Sequence, residues 1–128
     1  MPRDQGIDGE ALQGGTPDWL PLALVAGIDL LEDFMWMFEV RLSDDRRLDA
    51  YKHVDTRRYL HLDHGANAFT YEEDRGYRPV PLSRMLDAVF RPLWREDVHS
   101  APGAPARARR ALDLVYRREE GADTIRAR

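Results

Sequence analysis

Cysteine is absent from this 128-residue sequence. Its absence excludes disulfide bonds, thiolate nucleophiles, iron–sulfur clusters and the cysteine type of zinc site. Long apolar runs are absent too, and without about eighteen consecutive apolar residues no transmembrane helix is expected. Residues 1–15 are polar and glycine-rich and lack the basic-then-apolar order of a signal peptide. We therefore expect a cytoplasmic protein with no membrane partner.

Lysine is nearly absent. Lys52 is the only lysine among the 19 Lys and Arg residues, and the other 18 are arginines. This bias is typical of GC-rich coding and indicates a bacterial source. The net charge of −4 and the pI near 5.5 argue against a nucleic-acid binder that uses its whole surface. Hydrophobic residues make up 43% and charged residues 33%, as in an ordinary globular protein of one domain.

The N-terminal part of the chain is predicted to contain a tail and a helix. Residues 1–15 have few apolar anchors and no periodicity, which predicts a disordered tail. A Thr-Pro-Asp sequence at 16–18 fits the cap and the first turn of a helix. The apolar run that follows predicts a helix over about residues 17–32, although one proline and one glycine weaken it.

From Phe34 the hydrophobic period changes to two, which indicates β-strands. Strands separated by polar turns are predicted up to about residue 81. The last strand contains two prolines and is expected at an edge of the sheet. Ser83 can cap a helix whose apolar stripe covers one face of the sheet, and Pro92 ends or kinks that helix near Arg91.

The expected fold is α+β, with an antiparallel β-meander of four to five strands packed on one face by a helix, an apolar N-terminal helix and a short basic C-terminal helix. A single domain is expected over residues 16–97. A linker by composition follows at 98–106, and then the basic helix and tail at 107–128. The side chains predicted to be buried are Phe38, Val40, Leu60, Leu62, Leu86, Val89 and Phe90.

The register between the second and third predicted strands decides which face their histidines and tyrosines occupy. A three-residue loop puts Ala50 opposite Leu62 and groups the leucines of both strands on the core face. A two-residue loop would place Tyr51 opposite Leu60 and mix polar with apolar residues on each face. The hydrophobic pattern therefore predicts the first register.

This register leaves a second face that is rich in aromatic, imidazole and thioether groups and has few charges. Surfaces of this composition usually mark contacts, and Tyr and Met are enriched at interface cores. We expect a docking surface for a partner protein or a second copy, in an interaction or regulatory module that is not an enzyme. Its candidate residues are Met35, Met37, Tyr51, His53, Tyr59 and His61.

Two chemical alternatives use the same part of the chain. His53, His61 and His64, with a nearby aspartate, offer ligands of suitable type for a metal. No compact HxxxH or HEXXH-like spacing is present, so no metal or other cofactor is predicted. His61 with Asp63 and Tyr59 could act in acid–base catalysis near neutral pH, and a small enzyme is the second alternative function.

Nucleic-acid binding is the first alternative function. The last predicted helix is locally basic, and arginine binds phosphate through a planar fork. However, acidic residues follow this helix, and no helix-turn-helix spacing or RNP-like aromatic run is present. The candidate residues are Arg107, Arg109, Arg110, Arg117 and Arg118.

A homodimer is expected from the amount of amphipathic surface. The covering helix uses one sheet face, which leaves the second face and the apolar run at 19–31 without a partner. The link from Leu31 to Phe34 is short, so the N-terminal helix is not expected to fold back along its own strand. This favours a two-fold dimer over a three-layer monomer.

Overall fold

The computed structural model describes residues 6–95 and 99–126. Residues 1–5 of the predicted tail and residue 98 of the predicted linker lie outside this part of the chain. The strands are β1 Gly9–Leu12, β2 Phe34–Leu42, β3 Arg47–His53, β4 Tyr59–Asp63, β5 Ala68–Glu72 and β6 Gly76–Val80. The helices are α1 Leu20–Ala26, α2 Leu82–Phe90 and α3 Ala104–Arg126, with short 3-10 helices at Ile28–Asp33 and Arg91–Trp94.

All six strands form one antiparallel sheet in the order of the sequence. The predicted α+β class and antiparallel sheet are confirmed, but the sheet has six strands where four to five were predicted. The additional strand is β1, which lies in the segment predicted to be a disordered tail. β1 pairs with β2 along the backbone, with Gly9 opposite Leu42, and its side chains are mostly exposed. A strand of this kind carries little hydrophobic pattern, so the sequence did not reveal it.

The sheet closes on itself at one end. Ile7, just before β1, forms an antiparallel bridge to Tyr77 in β6, with nitrogen–oxygen distances of 2.8 Å in both directions. Two glycines allow this approach. A Cβ on Gly6 would lie 2.5 Å from the carbonyl oxygen of Tyr77, and a Cβ on Gly76 would lie 2.6 Å from that of Ile7. The closure gives the sheet an inner face and an outer face.

The register between β3 and β4 differs from the prediction. Tyr51 lies opposite Leu60, and Ala50 lies opposite His61. The loop that joins the two strands holds Arg57 in the left-handed conformation, with φ of 65°. The prediction was wrong because it assumed one buried face and one exposed face. This sheet buries Ala50 on its inner face and both Tyr51 and Leu60 on its outer face, so the hydrophobic pattern could not select the register.

Each face carries its own apolar cluster. The inner cluster contains Val40, Leu42, Leu48, Phe69 and Tyr77, with Ile7 and Phe38 partly buried beside it. The outer cluster is larger and includes Phe34, Tyr51, Leu60, Leu62, Leu22, Val25, Leu86, Val89, Phe90, Ala108, Leu112 and Val115. Six of the seven side chains predicted to be buried are buried. Phe38 is only partly buried, because it lies on the inner face next to an opening.

The N-terminal helix packs against its own chain. Instead of one helix over 17–32, α1 ends at Ala26, Gly27 follows with φ of 80°, and the chain continues as the 3-10 helix Ile28–Asp33. This break turns the chain, so α1 reaches the outer face, where Leu22 and Val25 join the outer cluster. The expectation that the link before β2 is too short for packing in cis was therefore wrong.

The C-terminal helix is longer than predicted and belongs to the same domain. α3 begins at Ala104, inside the predicted linker, and runs to Arg126. Its buried side chains are Ala104, Ala108, Ala111, Leu112 and Val115. Small alanine side chains let the helix backbone approach the outer cluster closely, and their weak apolar signal explains why the helix start was missed. No helix in the described residues is both long and apolar enough to cross a membrane.

Candidate functional site

The six predicted docking residues do not share one surface. Tyr51 and His53 are fully buried on the outer face, beneath the helices. The Tyr51 hydroxyl donates to the carbonyl oxygen of Asp18 at 2.5 Å, and burial raises the pKa of Tyr51. This corrects the prediction that both side chains lie on an exposed face, which followed from the wrong register.

His53 holds the β3–β4 loop. Its Nδ1 accepts the backbone N–H groups of Asp55 at 3.1 Å and Thr56 at 3.2 Å. Its ring meets Phe34 and Phe90 edge-on in the outer cluster. Burial lowers the pKa of His53, so the imidazole stays neutral and keeps Nδ1 as an acceptor. We interpret it as a structural histidine.

The other four predicted docking residues lie in β2 and β4. Tyr59 and His61 alternate along β4 on the inner face. Met35 lies near the start of β2, and Met37 lies where the register of the β2–β3 pairing shifts by an irregularity. Of the six residues, Tyr59 and His61 line a cleft on the inner face.

This aromatic cleft has a volume of about 390 Å³ and is formed by β1, β2, β4, β5 and β6. Its lining consists of Gly9, Ala11, Phe38, Tyr59, His61, Tyr71 and Tyr77. Gly9 and Ala11 leave the space open on the β1 side because they have little or no side chain. Small-molecule sites in proteins usually have volumes of roughly 300 to 1,000 Å³. The aromatic cleft therefore has room for one small ligand.

Five rings form a continuous wall in the aromatic cleft. The rings of Tyr59 and His61 stack, with centroids 6.1 Å apart and planes 20° from parallel. Phe38 lies 6.2 Å from Tyr59 and 6.5 Å from His61. Tyr77 meets His61 edge-on at 5.5 Å, and Tyr71 lies 4.7 Å from Tyr77. Because Tyr71 is 50% exposed, the wall extends to the solvent.

His61 is a partly buried titratable group of the wall. Burial lowers the pKa of His61 to about 4, so its ring is neutral at physiological pH. Neither of its nitrogens bonds to a residue that the structure describes, and the same holds for the hydroxyls of Tyr59, Tyr71 and Tyr77. A neutral imidazole offers one donor and one acceptor. The aromatic cleft thus presents hydrogen-bonding groups that the described chain does not use.

The acid–base arrangement considered from the sequence is not formed. The carboxylate of Asp63 accepts the N–H groups of Gly65 and Asn67, both at 2.9 Å, and so stabilises the β4–β5 turn. It does not orient His61, whose low pKa makes it a weak general base at neutral pH. His53 lies on the opposite face of the sheet. Among the described residues, no group of three or more His, Asp or Glu side chains is placed to hold a metal ion.

One cation borders the aromatic cleft. Lys52 lies opposite Tyr59 in the β3–β4 register, and its ammonium nitrogen lies 5.6 Å from the centroid of that ring. It forms no ion pair with an acidic side chain in the described part of the chain. Lys52 is not itself a lining residue, but its contact with Tyr59 places a positive charge next to a cleft whose lining carries no charge.

The five predicted nucleic-acid residues differ in the contacts they make. Arg107 pairs with a buried aspartate, Arg109 lies over a tryptophan ring, and Arg118 donates to a backbone carbonyl of α1. Arg110 and Arg117 are exposed and make no comparable contact with the residues described. The basic composition of α3 was therefore partly a sign of packing.

Comparison with protein-family models, with curated proteins and with solved structures finds no match to this chain. No relative supplies a function, so the function has to be inferred from the geometry of the aromatic cleft.

Most of the lining of the aromatic cleft was not predicted from the sequence. Tyr71 and Tyr77 lie directly opposite each other across the β5–β6 turn. Alternation along these two strands places both on the face of Phe69, and this signal could have found them. Gly9 and Ala11 gave no signal, because β1 was not predicted.

Proposed function

We propose that this chain is a cytoplasmic, non-catalytic binding module whose recognition site is the aromatic cleft. The observation that supports the proposal is the five-ring wall, which stays half-exposed at Tyr71 and keeps hydrogen-bonding groups unused. Aromatic surface that is open to solvent usually marks a contact. The seven lining residues include no carboxylate, and the only imidazole is neutral. Both facts favour binding over acid–base chemistry.

An uncharged fluorescent probe tests this proposal. N-phenyl-1-naphthylamine emits more strongly when it enters an apolar site, and we expect it to bind the full chain saturably, one probe per chain. Tyr71→Ala should weaken this binding about fivefold, since loss of one ring contact changes the free energy by about 1 kcal/mol. Ala11→Trp should abolish it by filling the cleft from an exposed position on β1.

Tyr116→Ala provides the matched control. Tyr116 is 45% exposed on α3, against 50% for Tyr71, and it does not line the aromatic cleft. We expect Tyr116→Ala to leave probe affinity unchanged. Absence of saturable binding, or an equal loss in both tyrosine variants, contradicts the proposal.

The proposal includes self-association as a homodimer. Because α1 packs against its own chain, the candidate interface is the side of α1 that faces away from the sheet. Leu20 and Leu24 are half-exposed there, and Ile28 in the following 3-10 helix is 75% exposed. Leu114 is also exposed on α3, one turn before Arg118, which donates to the carbonyl oxygen of Leu24. An exposed apolar patch of this kind usually marks an interface, and two-fold pairing is the commonest arrangement.

Nucleic-acid binding by α3 is the alternative proposal. Arg110 and Arg117 favour it, because they are exposed and lie about two turns apart on one side of the helix. The unmodified chain should then bind duplex DNA at low salt and bind it more weakly as salt rises. The double variant Arg110→Ala, Arg117→Ala should lose this binding. Arg84→Ala on α2, which also removes an exposed arginine, is the control.

A further inference from the structure

Lys52 gives the aromatic cleft a charged side. It is the only lysine in the chain, where every other long basic side chain is an arginine. Its ammonium lies over the ring of Tyr59, which lines the aromatic cleft, at 5.6 Å from the ring centroid. A cation–π contact of this kind holds the ammonium in place but leaves its N–H donors free for another partner. No acidic side chain of the described residues takes that position.

The flat part of the wall adjoins this charge. Tyr59 and His61 have ring planes within 20° of parallel and centroids 6.1 Å apart, and Tyr59 lies opposite Lys52. Planar rings pack among aromatic side chains better than puckered aliphatic groups do. The unused donor and acceptor of His61 can in addition bond to a heteroatom of a ligand ring. The Asp63 carboxylate on the same face accepts hydrogen bonds from the β4–β5 turn and does not pair with Lys52.

We propose that the aromatic cleft binds small aromatic acids, with the ligand ring on the Tyr59–His61 surface and its carboxylate at the Lys52 ammonium. The inference rests on the proposed function and names the ligand class for the same site. A volume of about 390 Å³ fits one ring system with a short acidic arm. An ion pair at the border of an apolar site is only partly screened by water, so the charge contributes to affinity as well as to specificity.

Three probes test the two parts of this inference by calorimetric titration of the full chain. Indole-3-acetate has the ring and the charge, indole-3-acetamide has the ring without the charge, and cyclohexylacetate has the charge without a planar ring. We expect indole-3-acetate to bind about tenfold more tightly than each of the other two, which corresponds to about 1.4 kcal/mol. Equal affinity for the acid and its amide overturns the role of the charge.

Lys52 variants separate the ion pair from packing. Lys52→Met should weaken indole-3-acetate binding about tenfold and leave indole-3-acetamide unchanged, whereas Lys52→Arg should keep most of the affinity for the acid. An unchanged affinity of Lys52→Met for the acid overturns the inference. Cyclohexylacetate binding as tightly as indole-3-acetate overturns the requirement for a planar ring.

The naphthylamine probe distinguishes failure of the proposed ligand class from failure of the proposed function. If it binds saturably and depends on Tyr71, while the acid and the amide bind equally, the ligand class is wrong and the binding module stands. If neither the probe nor the indole compounds bind, the proposed function and this inference both fail.

Discussion

Asp33 and Arg107 form a two-pronged ion pair although they are 74 residues apart in the sequence. Arg107 Nε donates to Oδ2 of Asp33 and Nη2 donates to Oδ1, both at 2.7 Å. The Asp33 side chain is 3% exposed and that of Arg107 is 20% exposed. The carboxylate raises the pKa of Arg107 through these hydrogen bonds. The pair fastens the start of α3 to the residue that precedes β2.

Arg107→Ala should lower the free energy of unfolding by about 3 kcal/mol, because it leaves a buried carboxylate without its partner. Arg107→Lys should lower it by less, since the charge stays but the planar fork is lost. Urea denaturation at neutral pH measures both. Arg110→Ala is the control and should change stability by less than about 0.5 kcal/mol. A loss for Arg110→Ala as large as for Arg107→Ala contradicts the assignment.

Gly76→Ala should weaken the closure of the sheet. Gly76 has φ of 80°, and an added Cβ would lie 2.6 Å from the carbonyl oxygen of Ile7. We expect a loss of about 3 kcal/mol in unfolding free energy, together with faster hydrogen exchange at the Ile7 and Tyr77 amides. Gly14→Ala is the matched control, because its φ is 77° but its Cβ would meet no atom within 4 Å. That variant should lose about 1 kcal/mol, from the backbone conformation alone.

The stability of the fold should decrease as the pH falls below about 6.5. Burial lowers the pKa of His61 to about 4 and also lowers the pKa of His53, whereas histidine in the unfolded chain titrates near 6.5. Between these values the unfolded state binds more protons than the folded state. The stabilisation is therefore complete above about pH 6.5 and is lost as the pH falls toward 4.

His61→Phe isolates the contribution of His61 to this pH dependence. Between pH 7.5 and 4.5 the unmodified chain should lose about 2 to 3 kcal/mol more unfolding free energy than the variant does. Carboxylate groups titrate in both chains, so they cancel in the difference. Urea denaturation at the two pH values measures it, and identical losses in the two chains would show that His61 is not protonated on unfolding.

Light scattering at micromolar concentration tests the homodimer. The expected mass is twice the single-chain 14.8 kDa, and Leu24→Asp should return it to the monomer by placing a charge in the outer patch of α1. Tyr71→Asp should leave the dimer intact, because Tyr71 lies in the aromatic cleft. A monomer mass for the unmodified chain refutes the dimer, and a dimer that survives Leu24→Asp moves the interface elsewhere.

The sequence predicted elements whose signal is local. Alternation along β2 to β6 was strong enough to predict strands and the burial of Leu60 and Leu62, and the apolar stripe of α2 predicted Phe90 as buried. It could not predict that Leu48 and Leu60 lie on opposite faces, because both are equally apolar and the sheet is buried on both sides. That information lies in the curvature of the sheet, which depends on pairing between its two ends.

The aromatic cleft was predicted only in part for the same reason. Tyr59 and His61 were identified as neighbours because they alternate within one strand. Tyr71 and Tyr77 come from two later strands and reach His61 only through the order of the whole sheet. His53 was grouped with them because the predicted register placed it opposite Tyr59, whereas Lys52 takes that position and His53 lies on the outer face.

The bridge between Ile7 and Tyr77 also constrains the order of folding. The hairpins from β2 to β6 join strands that follow each other directly, and such local pairs form quickly. Ile7 can pair with Tyr77 only after the intervening chain has been made and the sheet has curved, which requires closure of a long loop. On the ribosome, β1 therefore emerges before the other five strands, but the side of the aromatic cleft that it forms is completed only when β6 is in place. We expect the site to be assembled late in sheet formation, although β1 precedes the other five strands in the chain.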